Sequence, residues 1–207
     1  MNKTLIIGGG NFPKNIDIIQ FSKGYDNIIA VDRGYELLLK DNIRPNYLLG
    51  DFDSIKKNIT IDSNIEIIKY PSEKSMTDME LAIEKSIELK SSFVVILGGT
   101  GSRLDHTFIN VLLLKKLLDN NIEGKIIDDN NEALLIDGNK KIEKCDFKYL
   151  SIVPLFNNTI ISIRGVKYPL NNKKVSYGSS LCISNEITDS FSEIYTSNYS
   201  VVFKSKD

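Results

Sequence analysis

The segment Gly50-Asp51-Phe52-Asp53-Ser54 directly follows the apolar run Tyr47-Leu48-Leu49. In extended backbone alternate side chains share a face, so Asp51 and Asp53 point one way and Phe52 the other. Two carboxylates held ~4 Å apart repel by about 1 kcal/mol in water and about 4 kcal/mol at an effective dielectric of 20. Protonating one of them relieves the repulsion, and so does a divalent cation between them. Hard oxygen ligands at the mouth of a sheet suit Mg²⁺, which takes one or two carboxylates together with substrate phosphates. By itself the segment reads equally well as a solvated turn, because Asp and Ser are common turn formers.

Two further segments have the same double character. In Lys74-Ser75-Met76-Thr77-Asp78-Met79-Glu80, Thr77 and Glu80 have capping-box spacing and Asp78 suits the positive end of a helix. The same helix start offers free N–H groups to a phosphate, with a carboxylate beside them to hold a metal. In Gly98-Gly99-Thr100-Gly101-Ser102-Arg103-Leu104-Asp105-His106, glycines let backbone N–H groups turn onto phosphate oxygens. Arg103 supplies a planar fork for phosphate, and Asp105 is a further ligand or base. The segment is no Walker A loop, since no Gly-Lys-Ser/Thr follows. Gly8-Gly9-Gly10-Asn11-Phe12-Pro13 is no dinucleotide fingerprint, since Pro13 stands at the last glycine. Asp32, in Val31-Asp32-Arg33-Gly34, ends another apolar run. Four loops of this kind are hard to explain as unrelated turns.

The elements that must position these loops are short apolar runs: Leu5–Ile7, Ile28–Val31, Tyr47–Leu49, Ile65–Ile68 and Phe93–Leu97. Helical periodicity separates them, clearest from Met79 to Lys90. This alternation predicts a mostly parallel sheet with helices on both faces, an α/β architecture whose ligands bind at the carboxyl ends of the strands. Leu104 to Leu118 is apolar nearly all round, which suits a core helix and also a subunit contact. Beyond Asp128-Asp129-Asn130-Asn131 the helical period disappears. Period-two segments at Thr159–Ile163, Ser180–Ser184 and Ser200–Phe203, punctuated by Asn pairs and Gly178, predict an all-β sandwich. The expected domains are therefore 1–130 and 131–207.

Composition narrows the function classes. Lys and Arg number 26 against 27 Asp and Glu, giving a net charge of -1 with no basic stripe for a nucleic-acid backbone. Cys145 and Cys182 form no CxxC and have no zinc partners, so they are expected as reduced thiols in a cytoplasmic protein. No stretch approaches the ~20 apolar residues of a membrane span, and the first residues are too few for a signal-peptide core. His106 is the sole histidine, which gives zinc or a Ser-His-Asp triad little support.

Taken in order, Val31-Asp32-Arg33-Gly34, Gly50-Asp51-Phe52-Asp53-Ser54, Thr77-Asp78-x-Glu80-Leu81-Ala82 and Gly101-Ser102-Arg103-Leu104-Asp105-His106 resemble the motifs of thiamine pyrophosphokinases. Gly165-Val166-Lys167-Tyr168-Pro169-Leu170 and Ser184-Asn185-Glu186 continue the resemblance, which spans essentially the whole chain. Ser75 departs from it, standing where that family usually has Asp.

The resemblance implies a Rossmann-like α/β catalytic domain binding ATP and Mg²⁺, a β-sandwich binding thiamine, and a homodimer with each active site shared between subunits. It implies that Asp51, Asp53 and Asp78 gather metal and phosphates, that Arg103 contacts phosphate, and that Asp32, Thr77 and Asp105 line the same site. Ser184 and Asn185 are implied to recognise the thiamine pyrimidine. The reaction would carry the pyrophosphoryl group of ATP to the thiamine hydroxyl and release AMP. An aspartate would take the hydroxyl proton; the sequence singles none out, and Asp78 is our choice. Another Mg²⁺-dependent phosphotransferase or phosphohydrolase would explain the acidic residues but not the motifs of the β-domain. A non-catalytic sensor would leave the acidic set without a use.

Overall fold

Runs of β-branched and aliphatic residues such as Thr4-Leu5-Ile6-Ile7 and Val94-Val95-Ile96-Leu97 have no polar face, so a sheet must cover them on both sides. A computed structural model of the chain describes residues 1–50, 62–68 and 76–207. Its contacts divide the chain into two units, Met1–Asp129 and Asn130–Asp207.

The first unit has strands β1 (Lys3–Ile7), β2 (Asn27–Val31), β3 (Tyr47–Leu49), β4 (Glu66–Ile68), β5 (Phe93–Leu97) and β6 (Glu123–Ile127). They pair in the order β6-β5-β1-β2-β3-β4, and every pairing is parallel. Leu5, Ile6 and Ile7 and all of Val94–Leu97 are fully buried. The helices are α1 (Ile18–Ser22), α2 (Gly34–Lys40), α3 (Asp78–Glu88) and α4 (Leu104–Asp119). Asp17 caps α1 by accepting from the N–H groups of Ile19 and Gln20, and Thr77 caps α3 by accepting from Glu80 N–H.

α4 packs one face of its apolar sequence into the core and leaves another exposed. Val111, Leu113, Leu114 and Leu117 are buried, while Leu104 and Phe108, one turn apart, are 79% and 61% exposed.

In the second unit, β11 (Phe191–Ser205) pairs antiparallel with β7 (Asn131–Glu143) along its length. The register shifts between Thr196 and Ser200. Before the shift β11 also pairs with β9 (Thr159–Arg164), which pairs in turn with β10 (Leu170–Val175). After it, β11 pairs instead with β8 (Tyr149–Pro154). The two long strands thus contribute to two layers, and one core joins them: Leu134, Ile152 and Val202 from one half, Ile142, Ile161, Ile163 and Ile194 from the other.

Ser180–Ser184 departs from expectation. It is a turn, with Ile183 N–H donating to Ser180 C=O at 3.2 Å and Ser184 at φ +57°. Only Cys182 faces the core, while Leu181 and Ile183 are exposed. The alternation is real, but the side that faces inward is the single thiol.

Candidate active site

Of the strands in the parallel sheet, β1 and β5 are neighbours whose onward connections diverge: β1 leads to β2 on one side, β5 to β6 on the other. At such a switch point the loops leaving the two strands separate and open a crevice. Both loops here are glycine-rich. They are stitched together by Gly8 N–H to Leu97 O (2.8 Å), Gly10 N–H to Gly98 O (3.0 Å) and Asn11 N–H to Thr100 O (2.6 Å). A Cβ on Gly10 would lie 2.0 Å from Thr100 O, so only glycine permits this approach. The resulting cleft, of about 400 Å³, takes in both loops together with Asp32, Thr77, Asp78, Arg103, His106 and Asn110.

Each of these side chains is placed by the end of an element. Asp32 follows β2 in a left-handed conformation (φ +47°), and its N–H donates to Leu49 O at 3.0 Å. Thr77 and Asp78 are the cap and first residue of α3. Arg103 immediately precedes α4 and forms a two-point ion pair with Asp105, Nε to Oδ1 at 3.2 Å and Nη2 to Oδ2 at 2.6 Å. The hydrogen bond from Arg103 pulls the Asp105 carboxyl down to about 2. Asn110 is buried in an otherwise apolar stretch of α4, where its Nδ2 donates to Gly99 O at 2.7 Å and ties the glycine loop to the helix.

The structure therefore brings Asp32, Thr77, Asp78 and Arg103 to one cleft, with Asp105 joined through Arg103. Asp51 and Asp53 lie outside the described residues, as does Ser75; Gly50 is the last described residue before them. Among the described residues no three His, Cys, Asp or Glu side chains cluster as a metal site. Asp32 and Asp78 nonetheless give the cleft hard oxygen donors, the kind that suit Mg²⁺ rather than a soft metal. A larger hollow, of about 540 Å³, lies over the second unit. There Lys141, Glu193 and Arg164 are cross-strand neighbours of alternating sign, the pattern of a solvated sheet face.

Ser184 and Asn185 belong to the second unit. Ser184 N–H donates to Ser151 Oγ at 2.9 Å. Asn185 is 5% exposed, and its amide behaves like a piece of backbone. Nδ2 donates to Tyr168 O at 2.8 Å, while Oδ1 accepts from Tyr168 N–H at 3.0 Å and Glu186 N–H at 2.9 Å. Both acceptor positions on Oδ1 are filled, which leaves one amide N–H for any other partner.

The family model described as "Thiamin pyrophosphokinase, catalytic domain" matches residues 19–126, and that for the "vitamin B1 binding domain" matches residues 139–201. The chain belongs to the thiamin pyrophosphokinase family. The thiamine pyrophosphokinase of Bacillus subtilis is 37% identical over 194 residues, 89% of each chain. A crystal structure of thiamine pyrophosphokinase from the same organism superposes over the whole of both chains with a TM-score of 0.88 and 30% identity. That of the Geobacillus thermodenitrificans thiamin pyrophosphokinase gives 0.84 and 32% over 99% of this chain and 98% of that one. Identity of this extent, with both domains matched in order, makes the chain an enzyme of thiamin pyrophosphokinase activity.

Relative to the motifs of the thiamin pyrophosphokinase family, sequence reasoning passed over several residues that line the cleft. Gly8-Gly9-Gly10 fails the dinucleotide pattern, yet it forms one wall. The signal was available in three glycines directly after the first apolar run. Asn110 was legible only as a lone polar residue on an apolar helix. His106 lines the cleft too, though its motif drew attention to Arg103 and Asp105 instead.

Proposed function

We propose that the cleft between the β1 and β5 loops binds ATP with Mg²⁺, and that the chain transfers the β,γ-pyrophosphoryl group to the hydroxyl of thiamine. The observation that carries this reading is the convergence of two glycine loops, the start of α3 and Arg103 on one crevice. The glycines allow phosphate oxygens to approach the backbone, and the N-terminus of α3 favours negative charge. Arg103 neutralises charge on the transferring group, exchanging one of its contacts with Asp105 for phosphate. Asp78, together with Asp51 and Asp53 as read from the sequence, would hold Mg²⁺, which when bound supplies charge neutralisation across the phosphates.

In this reaction the thiamine hydroxyl oxygen bonds to the β-phosphorus, the bond from that phosphorus to the α–β bridging oxygen breaks, and AMP leaves. Asp78 is assigned the hydroxyl proton. Asp32 and Asp105 shape the same cleft, Asp105 by holding the Arg103 fork. Thiamine is assigned to the Ser184-Asn185 segment, with the Ser184 hydroxyl and the remaining Asn185 amide N–H as donors. The exposed Leu104 and Phe108 of α4 support a homodimer, and the site is read as shared between subunits. Both cysteines are free, in keeping with a reducing cytoplasm. No helix among the described residues is long and apolar enough to cross a membrane, and no nucleic-acid partner is proposed.

The test is to quantify AMP and thiamine diphosphate while omitting ATP, Mg²⁺ or thiamine in turn. One AMP per thiamine diphosphate is expected, with no product when any component is missing. ADP and thiamine monophosphate as first products would mean an ordinary kinase, and nucleotide hydrolysis independent of thiamine would mean a phosphohydrolase.

A further inference from the structure

The start of α3 carries the sequence of a capping box, but only half of the box forms. Thr77 Oγ1 accepts the Glu80 N–H at 3.2 Å. In a complete box the Glu80 carboxylate would turn back to the N–H of Thr77. Instead Glu80 Oε1 lies 3.1 Å from Lys116 Nζ on α4. Glu84, one turn further along α3, takes the same ammonium. All three side chains are partly covered, Glu80 at 20% and Lys116 at 34% exposed. The hydrogen bonds of Glu84 and then Glu80 raise the Lys116 pKa above its ordinary value.

Two consecutive turns of one helix thus close on a single cation of the other. The consequence reaches the cleft because of where these helices begin. Asp78 and Thr77, two and three residues before Glu80, line it from α3, and Arg103 and His106 line it from the start of α4. A helix moves as a stiff body, so a slip of α3 along α4 would carry Asp78 past Arg103. Misplacing a phosphate-contacting group by about 1 Å is enough to cost ~10²-fold in rate.

We propose that Lys116, through Glu80 and Glu84, is a positioning residue for the nucleotide–metal end of the site, fixing the start of α3 against α4. The assignment rests on the reading of the cleft as the Mg-ATP site. Lys116→Met keeps the aliphatic stem and removes the cation, and Glu80→Gln removes the charge nearest the cleft.

The experiment measures kcat and both KM values, the affinity for Mg²⁺ with a non-hydrolysable ATP analogue by calorimetry, and Tm. Lys116→Met is expected to weaken analogue binding and lower kcat/KM for Mg-ATP by roughly tenfold or more, the scale of supporting-shell substitutions. KM for thiamine should be unchanged, Tm should move by only a few degrees, and Lys116→Arg should restore the nucleotide parameters. Glu80→Gln should shift the same parameters in the same direction. Wild-type analogue affinity and kcat/KM in both variants would overturn the proposal, as would a fall in Tm with kinetics unchanged. Equal losses for both substrates, tracking the folded fraction, would also overturn it. If the wild-type protein does not bind the Mg²⁺–analogue complex at all, the cleft assignment fails first and the positioning role with it.

Discussion

A Cβ built on Gly50 would lie 2.0 Å from Oδ1 of Asp32. The Asp32 carboxylate therefore rests directly against the backbone from which the Asp51-Phe52-Asp53 segment departs. Gly50 also has φ +143°, a conformation that residues with a side chain rarely adopt. The contact with Asp32 and the backbone conformation both exclude a side chain at position 50.

Gly50→Ala should therefore impair activity through the geometry of the acidic loop. The conformational strain alone is on the order of 1–3 kcal/mol, and the clash with Asp32 adds to it. We expect a lower Tm and a fall in kcat greater than the loss of folded protein explains. Activity and Tm both within error of the wild type would mean that the Asp32–Gly50 contact yields without consequence.

Asp51→Asn and Asp53→Asn test the residues first singled out from the sequence. Each should keep the fold and lower kcat by roughly 10²-fold or more, because electrostatic stabilisation of several kcal/mol is at stake. Near-normal turnover by both variants at saturating Mg²⁺ would return the pair to an ordinary turn.

The Arg103–Asp105 pair makes a prediction in pH. Asp105, held at about 2 chiefly by its hydrogen bond from Arg103, is ionised throughout the neutral and mildly acidic range. Its folded-state value is depressed, so any stabilisation from the pair is present above the unfolded pKa and fades as pH falls through about 2. An acidic limb of activity between pH 5 and 7 must then come from another group. In Arg103→Met the Asp105 carboxyl should rise towards its ordinary 3.8, read from side-chain carbon NMR shifts against pH. An unmoved titration would show that the pair does not persist in solution.

Asn185→Ala should affect two observables at once. It strips hydrogen-bond partners from Tyr168 N–H, Tyr168 C=O and Glu186 N–H, and a group left unsatisfied costs about 1–3 kcal/mol. Tm should fall and KM for thiamine should rise by several-fold to roughly 30-fold, with KM for ATP nearly constant. Ser184→Ala should raise KM for thiamine with a smaller change in Tm. Equal changes in both KM values for both variants would remove this segment from thiamine recognition.

Mixing Ser184→Ala/Asn185→Ala protein with Asp51→Asn protein tests the shared site. In a heterodimer one site would combine an intact first unit from one chain with an intact second unit from the other, and activity should reappear. Subunit exchange seen by mass spectrometry without recovered activity would place each site within a single chain.

The sequence by itself determined the alternation of buried strands and helices in the first unit and the start of α3, because both are local properties. A run such as Val94-Val95-Ile96-Leu97 has no polar face, and Thr77 three residues before Glu80 is a helix start wherever the helix goes. The change of rhythm after Asp128-Asp129-Asn130-Asn131 is local in the same sense. Tertiary structure decided which partner each polar group takes. Glu80 is composed for a capping box, yet a cation 36 residues away competes for its carboxylate and holds it at 3.1 Å. Asn185 has the composition of a ligand donor, but the backbone N–H groups of Tyr168 and Glu186 fill its amide oxygen. Ser180–Ser184 alternates like a strand and turns instead, since Ile152 N–H bonds Cys182 C=O and draws only that thiol into the core. Gly8-Gly9-Gly10 became a wall of the cleft only when β1 paired with β5 and brought Gly98 against it. Periodicity and caps are set by neighbours along the chain, whereas the choice among hydrogen-bond partners is settled by which distant groups packing brings within about 3 Å.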